Sequence, residues 1–350
     1  MAHLPVLHRK RTHLPPLQPS PAPMNNPAPE IFDRTLLARR RDRFAADAPA
    51  HDFLLAHVAE DIADRLSLIR RTFPMCLNLG AQHGLLSRRL RGLAGIGLMI
   101  DAEMSPRLLA RCDGPRVLAD EERLPFAPAS LDLVVSGLSL HLVNDLPGAL
   151  IQIRRALKPD GLFLAALLGG STLTELRQAF VQAEAELEGG ASPRVAPFAD
   201  VRDLGHLLQR AGFTLPVADC DVLQVGYGSA LDLMRELQAM GGSNVLRERR
   251  RTALRRATLL RAAAVYAERF ARPDGRVTAT FEIITLTGWA PHASQQQPLR
   301  PGSAKTRLAD ALGVPERLAG DQASEPRRVV EGPRLSPEPP SGPPVAPPRK

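Results

Sequence analysis

Only three cysteines occur in the 350 residues, far apart at positions 76, 112 and 220. A scattered, odd-numbered set excludes a disulfide framework, offers no metal-site spacing, and suits a reducing compartment. Aromatic residues make up 4% of the chain, with a single tryptophan, so stacking platforms for single-stranded nucleic acid are lacking. No uninterrupted apolar run approaches the ~18–20 residues that span a bilayer, which excludes an integral helical membrane protein. The H-x-D/E element that opens a facial iron triad is absent from the sequence, and no metal is expected. The first 29 residues contain no carboxylate at all.

Proline, by contrast, is plentiful: 33 residues, of which eight fall in 1–29 and thirteen in 291–350. Each one fixes φ and removes a donor. Both tails are therefore expected to be largely disordered, the last stretch partly polyproline II. The basic, acid-poor N-terminal tail has a transit-peptide composition, yet its prolines prevent the amphipathic helix such peptides use. Met24 stands just before the first structured segment, so Met1 and Met24 both remain open as start sites. The net charge of +8 divides as +3 in residues 1–29, +2 in 301–350 and +3 in the long body between. A nearly balanced body does not argue for nucleic acid, whose binders concentrate charge on one face. One local concentration stands out: seven arginines between Arg247 and Arg261 with only Glu248 opposing. It reads as a helix face open to water, with an acidic protein partner as the alternative.

Residues 30–70 show apolar side chains at three- and four-residue intervals, predicting a helical cap broken near Pro49. From residue 71 short apolar runs alternate with helical patterns. Strands are expected over 75–80, 95–101, 116–120, 131–139, 161–170, 214–225 and 277–290. Helices are expected over 85–93, 146–157, 172–188, 200–213, 229–240 and 246–270. Continuous apolar strands separated by helices imply a parallel sheet covered on both faces. The fold class is therefore α/β and Rossmann-like: a seven-stranded domain over 71–290, with helical insertions at 171–198 and 229–270. In such sheets ligands bind at the carboxyl ends of the strands.

The polar residues sit at those ends. Gly80 directly after the first strand and Gly84 at the next helix frame a turn in which a ligand can approach the backbone. Asp101, 21 residues after Gly80, falls where a carboxylate can accept ribose hydroxyls. Asp120 and Glu121 end the third strand, within reach of an adenine amino group. The G-x-G-x-x-G dinucleotide fingerprint is absent, which favours S-adenosylmethionine over NAD.

The segment LADEERLPFAPASLDLVVSGLSLHLVNDLPGALIQIRRALKPDGLF resembles the class I S-adenosylmethionine-dependent methyltransferases. SLHLVNDLPGAL, GGSTLTELRQAF, EGGASPRVAPFADVRDLGHLLQRAGF, LMRELQAMGGSN, TGWAPH and PGSAKTRLADAL narrow the resemblance. They are similar to the methyltransferase-like complex I assembly factors of mitochondria and alphaproteobacteria, a family associated with arginine hydroxylation. LGGSTLTELRQAF is more distantly similar to malonyl-carrier-protein O-methyltransferases.

The resemblance implies that Asn78, Gly80, Ala81 and Gly84 hold the methionine end of S-adenosylmethionine, Asp101 the ribose, and Asp120 and Glu121 the adenine. It also implies that Ser136 and the turn at 139–141 face the sulfonium. It implies a protein substrate, in particular a complex I subunit, and residence in the bacterial cytoplasm, including the inner-membrane periphery, or in the mitochondrial matrix. Two departures count against tight cofactor binding: Asn78 replaces the usual Asp, and the loop reads GAQHG. Exchanging a charge-assisted hydrogen bond for a neutral one costs on the order of 1 kcal/mol, and Gln82 is expected to crowd the loop. His141, with Asn144 and Asp145, follows the fourth strand and is the candidate general base. His83 is expected at an exposed loop tip and His206 within a helix. Three functions stay open: a methyltransferase, a protein-arginine hydroxylase, and a non-catalytic binding module.

Overall fold

A computed structural model describes residues 30–296, with 310 and 313; the first proline-rich tail and the rest of the second lie outside the described residues. Seven strands, β1 (Phe73–Leu79), β2 (Ile96–Glu103), β3 (Arg116–Leu118), β4 (Leu131–Gly137), β5 (Leu157–Leu168), β6 (Thr214–Tyr227) and β7 (Val277–Trp289), form one sheet in the order β3-β2-β1-β4-β5-β7-β6. The first five run parallel, while β7 lies antiparallel between β5 and β6. The order reverses between β1 and β4, the switch point at which such sheets open a crevice at their carboxyl edge.

The sheet is apolar on both faces because both are covered. One core joins Cys76, Leu133 and Phe281 to the helices α2 (Phe53–Ser67), α6 (Thr174–Glu188) and α9 (Arg256–Phe270). The other joins Leu77, Val134 and Phe163 to α5 (Leu146–Ala156) and α7 (Val201–Arg210). Short helices α3 (Leu85–Leu90) and α4 (Pro106–Leu109) connect the first three strands, and α8 (Ala230–Ala239) precedes α9.

The cap begins with α1 (Arg34–Phe44), N-capped by Asp33. A break at Ala48–Ala50 separates it from α2, where Pro49 removes a donor. The stretch 246–255 departs from the expected helix. Phe32 and Leu246 form an antiparallel bridge, with backbone bonds Asp33 N to Val245 O and Arg247 N to Ile31 O. Phe32, Leu37, Val245 and Leu246 bury one another in a satellite core. That burial, together with the bridge, outweighs the helix propensity of an arginine-rich segment. The arginines consequently do not share one face. Arg247 pairs with Glu30, Arg249 with Asp33, Arg250 with Glu188, and Arg261 with Glu186 and Glu268. Apart from Glu268, their counter-charges come from segments distant in sequence, which inspection of the run itself does not reveal.

Candidate functional site

The first strand ends in a turn that needs glycine. Gly80 has φ +67°, and a Cβ there would collide with Ser139 and reach Glu121 Oε1. Gly84 repeats the left-handed conformation at φ +82° ahead of α3. Gln82 adopts it too, at φ +51°, a conformation that side-chain-bearing residues rarely hold. It is retained by two bonds: its backbone N–H donates to Glu103 Oε2 at 2.9 Å and its Nε2 donates to Gly137 O at 3.2 Å. The amide thus bridges the loop to the end of β4.

The acid at the edge is Glu103 rather than Asp101. Strand β2 runs two residues past Asp101 before Ser105 caps α4 with Pro106 at its first position. Asp101 is fully buried, held by Ser87, by Asn78 Nδ2 at 3.0 Å and by Arg91 at 3.1 Å. Burial raises its pKa against those bonds. Asn78 faces the same cluster, donating also to Ser87 Oγ at 3.0 Å, while its Oδ1 has no partner. Counting from the glycine selects the inner acid of a D-x-E pair, whereas the strand ends at the outer one. The Ser-Pro helix start immediately after Met104 is the sequence signal for that later strand end.

Glu103 accepts from Gln82 N, from Ser105 N at 3.0 Å and from Arg41 at 3.0 Å. Glu121, also buried, accepts from Arg41 at 3.3 Å, from Arg34 and from Ser139. Asp120 meets Arg34 at 2.6 Å. Burial pushes Glu121 upward, but the Arg41 and Arg34 charges outweigh it and hold the carboxyl at about 2. Two guanidinium groups of α1 thus lie on the three acids of the edge, a contribution of the cap that strand-by-strand reading did not anticipate.

Of the residues expected at the reacting centre, Ser136 is buried with an unpartnered Oγ, and Ser139 is engaged by Glu121. His141 is half-buried at the cavity wall; desolvation, then the Arg41 charge, lowers its pKa to about 3, and its Nδ1 faces Leu168 N at 3.5 Å. A neutral imidazole of that basicity accepts a proton poorly near pH 7. Asn144 and Asp145 belong elsewhere. Asn144 holds the Phe32 peptide through Oδ1 at 2.7 Å and Nδ2 at 3.2 Å, and Asp145 caps α5 through Gly148 N at 2.8 Å. His83, expected at an exposed tip, is 1% exposed. Its Nε2 lies 3.0 Å from Asp52, and burial lowers its pKa. The start of α2 covers the loop, which the loop sequence alone does not show. His206 lies in α7. Among the described residues no group of three His, Cys, Asp or Glu is placed to hold a metal ion.

Two cavities open near the carboxyl edge of the sheet. One, of about 360 Å³, is lined by Arg34, Thr35, Met104, Ala119 and Asp120. The other, of about 590 Å³, is lined by Arg41, Gln82, Leu138 and His141 on the sheet side and roofed by residues of α6, α8 and the loops around 196 and 242.

Residues 77–165 match the family described as methyltransferase domain. Over 298 residues the chain is 43% identical to "Arginine-hydroxylase NDUFAF5, mitochondrial" of Danio rerio, an alignment covering 83% of this chain and 92% of that protein. The chain belongs to the NDUFAF5 family of methyltransferase-domain proteins. A more distant relative is the malonyl-[acyl-carrier protein] O-methyltransferase of Methylovorus sp. (strain MP688), at 36% identity over 277 residues, covering 75% of this chain and 91% of that one. Among solved structures, the YcgJ protein from Bacillus subtilis aligns at 12% identity with a TM-score of 0.48, over 67% of this chain and 99% of that one. The matched methyltransferase domain ends inside β5, so the roofing helices α6 and α8, like the cap helix α1, lie outside it.

Proposed function

We propose that this chain binds S-adenosylmethionine along the carboxyl edge of its sheet and modifies a protein subunit during complex I assembly. The observation that carries the reading is the buried Glu103 carboxylate at the end of β2, bonded to the backbone of the Gly80–Gly84 turn through Gln82 N–H. The residues present fit the cofactor. Gly80 lets Ser139 and Glu121 approach the turn backbone, an approach that a Cβ would block. Glu103 offers a buried carboxylate for ribose hydroxyls, Met104, Ala119 and Asp120 line a recess for adenine, and Asn78 Oδ1 and Ser136 Oγ are polar atoms without partners. Gly80, Ala81 and Gly84 would hold the methionine end. When bound, the cofactor supplies an electrophilic methyl carbon on a sulfonium.

The chain's own part is to position and to exclude water. Gln82 and Leu138 form the floor of the larger cavity, which serves as the acceptor chamber. His141 stays neutral there and orients the acceptor rather than taking its proton. Arg34 and Arg41 must leave the edge acids for the nucleoside to reach them, so α1 acts as the cover of the cofactor site. The same reading puts the chain where unassembled subunits are, in the bacterial cytoplasm or the mitochondrial matrix.

The name of the Danio rerio relative favours a second reading, arginine hydroxylation. Isothermal titration with S-adenosylhomocysteine tests the cofactor. Absence of binding would leave a non-catalytic assembly module. Intact-mass comparison of complex I subunits with and without this protein then separates the chemistries: a 14 Da increment means methyl transfer, and a 16 Da increment means hydroxylation.

A further inference from the structure

Among the described residues the acceptor chamber has a single acid in its lining, Asp52. Each arginine of that lining has a carboxylate nearby. Arg41 meets Glu103 and Glu121, Arg194 meets the buried Glu184, and the Asp33 charge supports that of Arg40. Asp52 has no such counter-ion. Among the described residues its one contact within ion-pair distance is His83 Nε2, at 3.0 Å. Burial lowers the His83 pKa below its ordinary value. The imidazole is therefore neutral near pH 7 and donates a hydrogen bond to the carboxylate without neutralising it. Arg88 and Arg111 also act on His83 but are committed elsewhere. Arg88 donates to the His83 carbonyl and to Asp113, Arg111 donates to the Ala46 carbonyl, and neither lines the chamber.

Other features mark this carboxylate as kept for a ligand. Asp52 occupies the N-cap position of α2, yet its side chain accepts no bond from the first turn, the usual reason for aspartate there. Its Oδ2 faces His83, while Oδ1 accepts nothing among the described residues. The Asp52 side chain is 23% exposed whereas that of His83 is buried, so the acid can be reached from the chamber it lines. Phe44, Phe198 and Phe281 share that lining, and aromatic faces suit a cation. The chamber already shows the combination once. The Arg194 guanidinium stands 5.5 Å from the Phe180 ring centroid and pairs with Glu184. His83 also belongs to the Gly80–Gly84 turn, so Asp52 is tied to the loop assigned above to the cofactor.

We propose that Asp52 is the specificity residue of the acceptor chamber: its carboxylate, held through one oxygen by His83, receives the guanidinium of an arginine presented by the protein substrate. The proposal rests on the protein-subunit reading above and adds the residue that selects the side chain. The probes are Nα-benzoyl-arginine amide and Nα-benzoyl-citrulline amide, which share a shape and differ in charge. Both are titrated calorimetrically into the full chain. The arginine compound is expected to bind about tenfold more tightly, the scale of one charge-assisted hydrogen bond. Asp52→Asn, which leaves His83 a partner, should remove most of that preference while the melting temperature holds. Asp52→Ser, an uncharged residue suited to an N-cap, should do the same on a second background. Equal affinities in the wild-type chain, a preference unchanged in either folded variant, or no binding of the arginine compound would overturn the proposal. S-adenosylhomocysteine titrated in parallel keeps the two readings apart. Nucleoside binding without an arginine preference removes the role of Asp52 alone. An Asp52-dependent preference without nucleoside binding removes the cofactor site alone.

Discussion

The Arg41 guanidinium lies 3.0 Å from the Glu103 carboxylate and 3.3 Å from that of Glu121, with all three side chains buried. One cation from the cap neutralises two acids at the ends of β2 and β3. Removing one member of such a buried set strands the others without compensation, which costs about 3–5 kcal/mol. Arg41→Met should therefore lower stability in urea unfolding by about 3 kcal/mol. It should also tighten S-adenosylhomocysteine binding roughly tenfold, because Glu103 no longer has to be vacated. Weaker nucleoside binding in a folded Arg41→Met chain would mean that Arg41 organises the site instead of covering it.

Glu103 and Asp101 make opposite predictions although they are two residues apart. Glu103→Gln should weaken S-adenosylhomocysteine by about 2 kcal/mol, the scale for losing a charged acceptor, with a smaller change in melting temperature. Asp101→Asn disturbs the Asn78, Ser87 and Arg91 cluster behind the loop. It should lower the melting temperature while leaving nucleoside affinity within about twofold. The reverse pattern in calorimetry would return the ribose to Asp101.

Acid should destabilise the chain in two stages. His141 has a folded pKa near 3 against an ordinary value of 6.5. The unfolded chain therefore binds the proton first, and stability falls as pH drops below about 6.5; the lowered pKa of His83 acts in the same direction. Glu121, held at about 2 against 4.5, contributes stability that is present above 4.5 and lost as pH falls toward 2, on the order of 3 kcal/mol. His141→Phe should flatten the dependence between pH 6.5 and 4.5 and leave the lower stage intact. Urea midpoints across this range read both stages, and an unaltered upper stage in the variant would assign it to other groups.

Asn144 holds the Phe32 peptide by both its N–H and its carbonyl. Asn144→Ala should release the segment that leads into α1, at a cost of about 1–2 kcal/mol. Hydrogen exchange at residues 32–41 should accelerate, while amides of β4 stay protected. Unchanged exchange at Leu37 would show that the satellite core alone secures the cap.

The sheet was legible because each of its inner strands is an apolar run ended by glycine or acid, and those runs carry both faces of the core. LDLVVSG and GLFLAALL leave little else to be read. The edge was legible as a place but not as a set of contacts. Asp120 and Glu121 were found as acids, whereas their partners Arg34 and Arg41 stand some 80 residues earlier in a helix that looks merely charged. Asn144 and Asp145 are conspicuous because loops after β4 carry function in such sheets; the bonds they make, a clasp on Phe32 and a cap on α5, involve partners that the loop sequence does not show. The 246–255 segment misled in the opposite way. Its composition favours helix, and the burial of Leu246 against Phe32 and Leu37 anchors its start in a turn instead.

The bridge between Phe32 and Leu246 also has a temporal side. During synthesis the first five strands emerge well before residue 246, and contacts of such long sequence separation form late. A nascent chain paused after β5 would already contain Asn144, which clasps Phe32, but not the Leu246 partner of the bridge. The young protein thus passes through an interval in which its first helix is tethered from one side alone, and the second tie arrives only with the last third of the chain.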